Sequence, residues 1–295
     1  FIGSHLVDGL LAAGHAVRVL DDLSTGRLAN LADVRGEIEM IDGDIRGPRL
    51  AAAACAGVEV VFHQAGVPSV KDSIADPVKN LSVNIDGTLS LLYAAREAGV
   101  RRFLLASSSA VYGGAGEMPR REDMLPAPES PYAAAKLSGE HLLDAYRHVW
   151  GMETVVLRYF NVFGPRQDPD SPSAMAPSLI ARAIADGLPF TVFGDGGQSR
   201  DFVPVANVVA ANLLCANAPG ANGGVFNVGT GVETSINQTI ATMTEMAGRD
   251  IEVSYAPPRA FDLYRSVADI SAISRLGYRP VADFREGCRR LLAGA

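Results

Sequence analysis

The chain has 295 residues, 48% of them hydrophobic and 20% charged, with a net charge of -7. An acidic balance of this kind excludes a broad cationic nucleic-acid surface and points to a small-molecule partner. The sequence has no run of 18 uninterrupted apolar residues to span a membrane, and its length suits one large core or two modest domains.

Cys55, Cys215 and Cys288 are odd in number and far apart, with neither metal-ligand nor disulfide spacing. Buried thiols in a reducing cytoplasm, and no metal, are the expectation.

Ile2, Leu6, Leu10 and Leu11 recur at helical spacing and Gly14 offers a stop, so the chain opens in a helix. Parallel sheets begin with a strand, so an upstream strand and turn are expected ahead of Phe1. VRVLDD (17–22), EIEMIDGDI (37–45) and VEVVFHQAG (58–66) read as strands, with a short helix over 50–56. One helix is expected over 78–98, a strand over 101–109, a helix over 131–150 and a strand over 153–164. Alternating helices and continuous apolar strands predict a doubly wound parallel α/β sheet. Beyond Gly164 the texture changes to a Pro-rich loop, helices over 174–186, 204–216 and 236–247, and strands over 190–193 and 225–228. Residues 1–164 are therefore expected to form a dinucleotide-binding domain and 165–295 a smaller mixed α/β substrate lobe, with parts of 199–230 rejoining the sheet.

Asp21 ends the second strand expected of a dinucleotide unit. A carboxylate there accepts from ribose hydroxyls and repels a 2′-phosphate, favouring NAD over NADP. Asp22, Ser24, Thr25 and Gly26 offer amides and hydroxyls beside it, and Gly3 is a candidate for the last glycine of a phosphate loop. Asp44 and Ile45 are placed to bracket an adenine. Ala65 and Gly66 let backbone approach a ligand. His63 reads as a core histidine, and Asn84 as either a tie across the sheet's carboxyl edge or a surface residue.

The chemistry concentrates in residues 107–136. Ser107, Ser108 and Ser109 close an apolar strand, and Tyr132 and Lys136 share a helix face at i, i+4. That spacing predicts the Lys136 ammonium beside the Tyr132 phenol, favouring phenolate. The ordinary tyrosine pKa of about 10 lies about 3 units above a neutral working pH, so a general base needs such help.

FIGSHLV, LDDLSTG, GDI, HQAG, NIDGT, SSSAVYG, SPYAAAK, LRYFNVFGPRQDP and SRDFV, in this order, resemble the extended short-chain dehydrogenase/reductase family, nearest to its UDP-hexose and UDP-N-acetylhexosamine 4-epimerases. The resemblance implies a Rossmann sheet, NAD as cofactor, a UDP-sugar substrate and no nucleic-acid or membrane partner. It implies Ser108, Tyr132 and Lys136 as the catalytic group, with Ser109 the alternative serine if the register slips by one. Ser107 and Ser109 are candidates for sugar contacts. Gln64, Ala65, Gly66, Asn84 and Phe160 would meet the cofactor, with Phe160 at the nicotinamide. Asn161, Arg200, Arg259 and Asp262 would hold diphosphate, sugar or ribose, and Phe193 would lie against the uracil.

The related dehydratases carry an Asp-Glu pair just after the catalytic hydroxyl; Ser109 and Ala110 stand there, which argues for epimerisation. Ser266, four residues after Asp262, implies room for a 2-N-acetyl group. A uronate epimerase is the nearest alternative and would need a cation such as Arg265 facing the sugar. A non-catalytic NAD-binding regulator is the alternative from another class. Homodimerisation through the helices near 78–98 and 131–150 is also implied, with Leu91, Leu92, Leu142 and Leu143 either outward or packed on the sheet.

Overall fold

The structure is a computed structural model and describes residues 1–258 and 263–294. Helix α1 (Ile2–Ala12) leads into β1 (Val17–Asp21), β2 (Ile38–Asp42), α2 (Pro48–Cys55) and β3 (Val60–His63). Then come α3 (Val70–Ala75), α4 (Pro77–Leu81), α5 (Gly87–Glu97), β4 (Arg102–Ser108), α6 (Pro131–Trp150) and β5 (Glu153–Tyr159). β1 and β2 pair in parallel, and a second parallel sheet runs β3-β4-β5 with β10 (Gly224–Val228) beyond β5. Among the described residues β1 pairs only with β2 and β3 only with β4, so each keeps an open edge. The burial follows from this. β1 is half-exposed throughout, whereas β4 and β5, flanked by strands and covered by helices, are almost wholly buried.

Helix α6 coincides with its expected span because its ends are chemically specified. Ser130 Oγ accepts the Ala133 N–H at 3.2 Å, Pro131 occupies the first turn, and Gly151 closes the helix at φ 68°. The helix expected over 78–98 is instead interrupted by a π turn, Ser82–Asp86. There the Thr88 hydroxyl donates to the Asn84 carbonyl at 2.6 Å, and apolar periodicity is blind to a side chain competing for a helix carbonyl.

The strand expected over 153–164 splits at Phe160. β5 stays in the main sheet, while β6 (Asn161–Phe163) leaves to pair with β9 (Phe202–Pro204). A β-branched run records extended backbone and burial but not which strand it pairs with. Between these lie α7 (Ala176–Asp186), β7 (Phe190–Phe193) and β8 (Ser199–Arg200). After α8 (Val205–Asn217), which packs on α1, the chain returns to the main sheet as β10.

The remaining elements are β11 (Thr234–Ser235), α9 (Ile236–Ala247), β12 (Val253–Ala256), β13 (Arg265–Ser266), α10 (Ser271–Arg275) and α11 (Phe284–Ala293). β12 pairs with β7, and β8 lies between β11 and β13. Phe163, Ile180, Phe202, Met243 and Cys288 form the core of this lobe. Asp201, between β8 and β9, is fully buried and accepts from the Thr230 N–H and hydroxyl, the Gly231 N–H and the Ala268 N–H. One carboxylate thus ties the lobe to the loop after β10.

Leu91, Leu92 and Leu143 are buried, and Leu142 is half-buried against the same core, so of the two placements the sheet-packing one holds. Val78, Leu89, Tyr93, Val149 and Trp150 are the large apolar side chains that these helices expose.

Candidate active site

β4 ends at Ser108 and α6 starts at Pro131, which brings Ser108, Tyr132 and Lys136 together at the carboxyl edge of the sheet. The Ser108 oxygen accepts the Ala110 N–H at 3.1 Å, and its own O–H remains to donate to Tyr132. Burial pushes the Tyr132 phenol above its ordinary pKa, and the Ser108 hydrogen bond opposes that rise.

Lys136 departs from the expected placement. Its Nζ donates to the Ala106 carbonyl at 2.9 Å and stands 5.9 Å from the Tyr132 ring centre, so it flanks the ring. A buried ammonium needs an acceptor, and the strand-end carbonyl is the one in reach. Burial lowers the Lys136 pKa from 10.5 to about 8.

Between those values the unfolded chain binds a proton that the folded protein does not, so stability rises with pH, by about 3 kcal/mol in all. Lys136→Met removes that contribution. Chemical unfolding at pH 7 and pH 10.5 is expected to give a smaller gain with pH in the variant; equal gains would refute this placement.

Ser107 does not join Ser108. Neighbouring residues of a strand face opposite ways, and the Ser107 hydroxyl donates to Glu140 at 2.5 Å, away from any sugar. Ser109 opens a 3-10 turn (Ser109–Tyr112) and stays half-buried beside the site. His63 is buried and its Nε2 bonds the Thr88 hydroxyl at 2.8 Å; burial takes its pKa down to about 3, so it is a neutral core histidine.

At the sheet edge, Asp21 Oδ1 accepts the Leu23 N–H at 2.8 Å, and both its oxygens lie 3.1 Å from where a Cβ on Gly26 would be. A side chain there would crowd the carboxylate and push it aside by a few tenths of an ångström. Asp22 accepts from the Ser24 N–H and hydroxyl, and Thr25 is exposed. Asp44 is ion-paired to Arg46, whose hydrogen bonds hold the carboxyl below its usual range, and Ile45 is buried against Gly87. The Gln64 side chain turns inward to the Tyr159 hydroxyl, leaving only backbone towards a ligand.

Ala65 packs on the core. Asn84 bridges the Val67 N–H and carbonyl at 3.0 and 3.1 Å, and a Cβ on Gly66 would meet Asn84 Oδ1 at 2.5 Å and Lys136 Nζ at 3.5 Å. Gly3 sits in the first turn of α1.

Phe160 is a core residue whose N–H donates to the Val228 carbonyl, and Asn161 hydrogen-bonds the Asp201 carbonyl. Phe193 ends β7, and Arg200 Nη1 donates to the Ser199 carbonyl. Ser266 is buried on β13 beside β8. Arg259 and Asp262 lie outside the described residues.

Sequence reasoning misses Arg120, because PRRED has the look of a solvated surface run. It is buried, and its guanidinium binds the carbonyls of Gly113, Gly114 and Ala115 at 2.6–3.2 Å, fixing the loop after the Ser109–Tyr112 turn. Its backbone pairs with Val267 and Asp269, next to Ser266.

Residues 1–229 match the NAD dependent epimerase/dehydratase family. The chain belongs to that family. A UDP-glucose 4-epimerase of Mycolicibacterium smegmatis is 41% identical over 292 residues, covering 97% of this chain and 93% of its own length. Among solved structures, the Thermus thermophilus UDP-glucose 4-epimerase complexed with NAD superposes with a TM-score of 0.91 at 39% identity, covering 100% of this chain and 95% of that one. The UDP-N-acetylglucosamine 4-epimerase of Methanobrevibacter ruminantium, in complex with UDP-N-acetylmuramic acid, gives 0.94 at 37%, with 100% and 94% covered.

Proposed function

We propose that the protein is an NAD-dependent nucleotide-sugar 4-epimerase that interconverts UDP-glucose with UDP-galactose and admits the 2-N-acetylated pair. The observation that carries this is a buried tyrosine against a strand-end serine, with Ser109 and Ala110 where a dehydratase needs acids. NAD fits the donor set. Asp21 would hold the adenosine ribose, Gly66 would let the backbone approach the cofactor, and Gly3, Asp44, Ile45 and Phe160 would line its course. A bound NAD would supply the hydride acceptor and donor for carbon 4, with no net oxidation of the sugar.

The chain's own residues move the proton. Tyr132 takes it from the carbon-4 hydroxyl through the Ser108 hydrogen bond, and returns it once the 4-keto sugar has presented its other face. Lys136 would keep positive charge by the Tyr132 ring, which favours the form that accepts a proton. Arg200, Arg259, Asn161 and Asp262 would grip the diphosphate and ribose, and Phe193 the base.

A uronate substrate is disfavoured. Arg265, the cation it would need, is ion-paired with Glu233 at 2.9 Å and exposed, while its strand neighbour Ser266 points inward. Ser266→Tyr is expected to suppress conversion of UDP-N-acetylglucosamine while sparing UDP-glucose. The deciding assay incubates the protein with UDP-glucose, UDP-N-acetylglucosamine and UDP-glucuronate without added NAD. Product from the first two supports the reading, and product from UDP-glucuronate alone overturns it.

Among the described residues no helix is long and apolar enough to cross a membrane. A cytoplasmic homodimer is the accompanying reading. It is supported by three buried free thiols and by the exposed Val78, Tyr93, Val149 and Trp150 on the two helices concerned. Sedimentation would test it.

A further inference from the structure

Tyr132, Lys136 and Glu140 are spaced four apart along α6 and share one face. Each meets a different one of three consecutive residues of β4. Tyr132 meets the Ser108 hydroxyl, Lys136 Nζ the Ala106 carbonyl at 2.9 Å, and Glu140 Oε1 the Ser107 hydroxyl at 2.5 Å. The first two contacts belong to the reacting group. The third does not, because Glu140 stands two turns away, about 12 Å along the helix axis.

Glu140 is buried and takes two further hydrogen bonds from Arg158 of β5, Nε to Oε1 at 3.0 Å and Nη2 to Oε2 at 2.6 Å. Ser107 and Arg158 are partners in the β4–β5 register, so all three donors rise from one point of the sheet. The rest of α6 is held largely by apolar packing, including Leu143 and Tyr146, and such contacts carry little directional preference. Charge-assisted hydrogen bonds do have direction. Gly139, beside Glu140, leaves so little room that a Cβ would come within 3.1 Å of Leu105, so helix and strand are already in close contact. The other side of Arg158 lies 4.8 Å from the Tyr112 ring, at the end of the turn that Ser108 caps. One buried ion pair therefore braces both elements that present Ser108 and Tyr132.

We propose that Glu140 is a positioning residue: bound by Ser107 and Arg158, it fixes the register of α6 on β4 and so seats Tyr132 against Ser108. The inference rests on the reading of Tyr132 as the proton carrier. Ser107→Ala tests it, because it removes one bond to Glu140 and leaves both Arg158 bonds and the catalytic trio in place.

With UDP-glucose, the expected result is a fall in kcat of about tenfold with KM within about twofold, the signature of a misplaced reacting group in an intact binding site. A second readout needs no substrate. Tyr132 is titrated by its tyrosinate absorbance, as the difference between each protein and its Tyr132→Phe counterpart. Ser108, which bonds the phenol, and Lys136, which flanks the ring, both remain in Ser107→Ala, so a midpoint raised by about half a unit reports a weakened Ser108 contact. An unchanged midpoint overturns the proposal, as does an unchanged kcat in a protein that turns over substrate. A wild type that converts no UDP-sugar defeats the functional reading alone and leaves the titration to decide this one.

Discussion

Tyr132→Phe is expected to lower epimerisation of UDP-glucose by about a thousandfold, with KM changed by no more than a few-fold. Acid–base catalysis by a positioned side chain contributes about 10²–10⁴-fold, and this substitution deletes the hydroxyl that carries the proton. The ring remains in its buried seat, so the fold and the substrate contacts persist. The loss falls on kcat because the proton is in flight only in the transition state. Steady-state measurement of UDP-galactose formation checks it. Turnover within tenfold of wild type would remove Tyr132 from the mechanism and revive the non-catalytic regulator.

Arg158→Met is expected to destabilise the protein by about 3–5 kcal/mol, the cost of leaving one member of a buried ion pair without its partner. Arg158 and Glu140 are both buried, and among the described residues Glu140 would keep the Ser107 hydroxyl as its one remaining side-chain donor. Burial alone would lower the Arg158 pKa; the hydrogen bond and charge of Glu140 outweigh it and leave the guanidinium above its ordinary value. Methionine fills much of the vacated volume, which isolates the electrostatic effect from cavity formation. Adding Glu140→Leu should restore most of the stability, since apolar replacement of a whole buried pair is commonly near neutral. Urea unfolding of the two variants and wild type measures both effects. A loss below about 1 kcal/mol for the single variant would mean that the pair is not sealed from water.

The parts of the site legible in the sequence were those written in local chemistry. The span of α6 follows from Ser130, Pro131 and Gly151, and the shared Tyr132–Lys136 face follows from helical spacing alone. Ser108 at the end of an apolar strand was likewise readable, because a buried strand is a continuous apolar run. What the sequence misplaced were side chains with a choice of partner. Ser107 is chemically the same as Ser108, and only the pleat of β4 turns it to Glu140. Arg120 lies in a run of charges with the composition of a surface loop, yet it is buried around three carbonyls. Lys136 was expected at the phenol, but a carbonyl of β4 competes for its proton donors.

The sequence by itself determined the doubly wound α/β class and the family, and it placed Ser108 at a strand end and Tyr132 and Lys136 on one helix face. These depend on periodicity, capping and motif order, all encoded within short stretches of chain. Only the tertiary structure decided the break at Phe160, the choice of β5 as the neighbour of the returning β10, the π turn at Ser82–Asp86 and the Ser107–Glu140–Arg158 brace. Each of these is a contest for a hydrogen-bond partner between residues distant in sequence or on competing groups of one helix, and its winner depends on where the rest of the chain has packed.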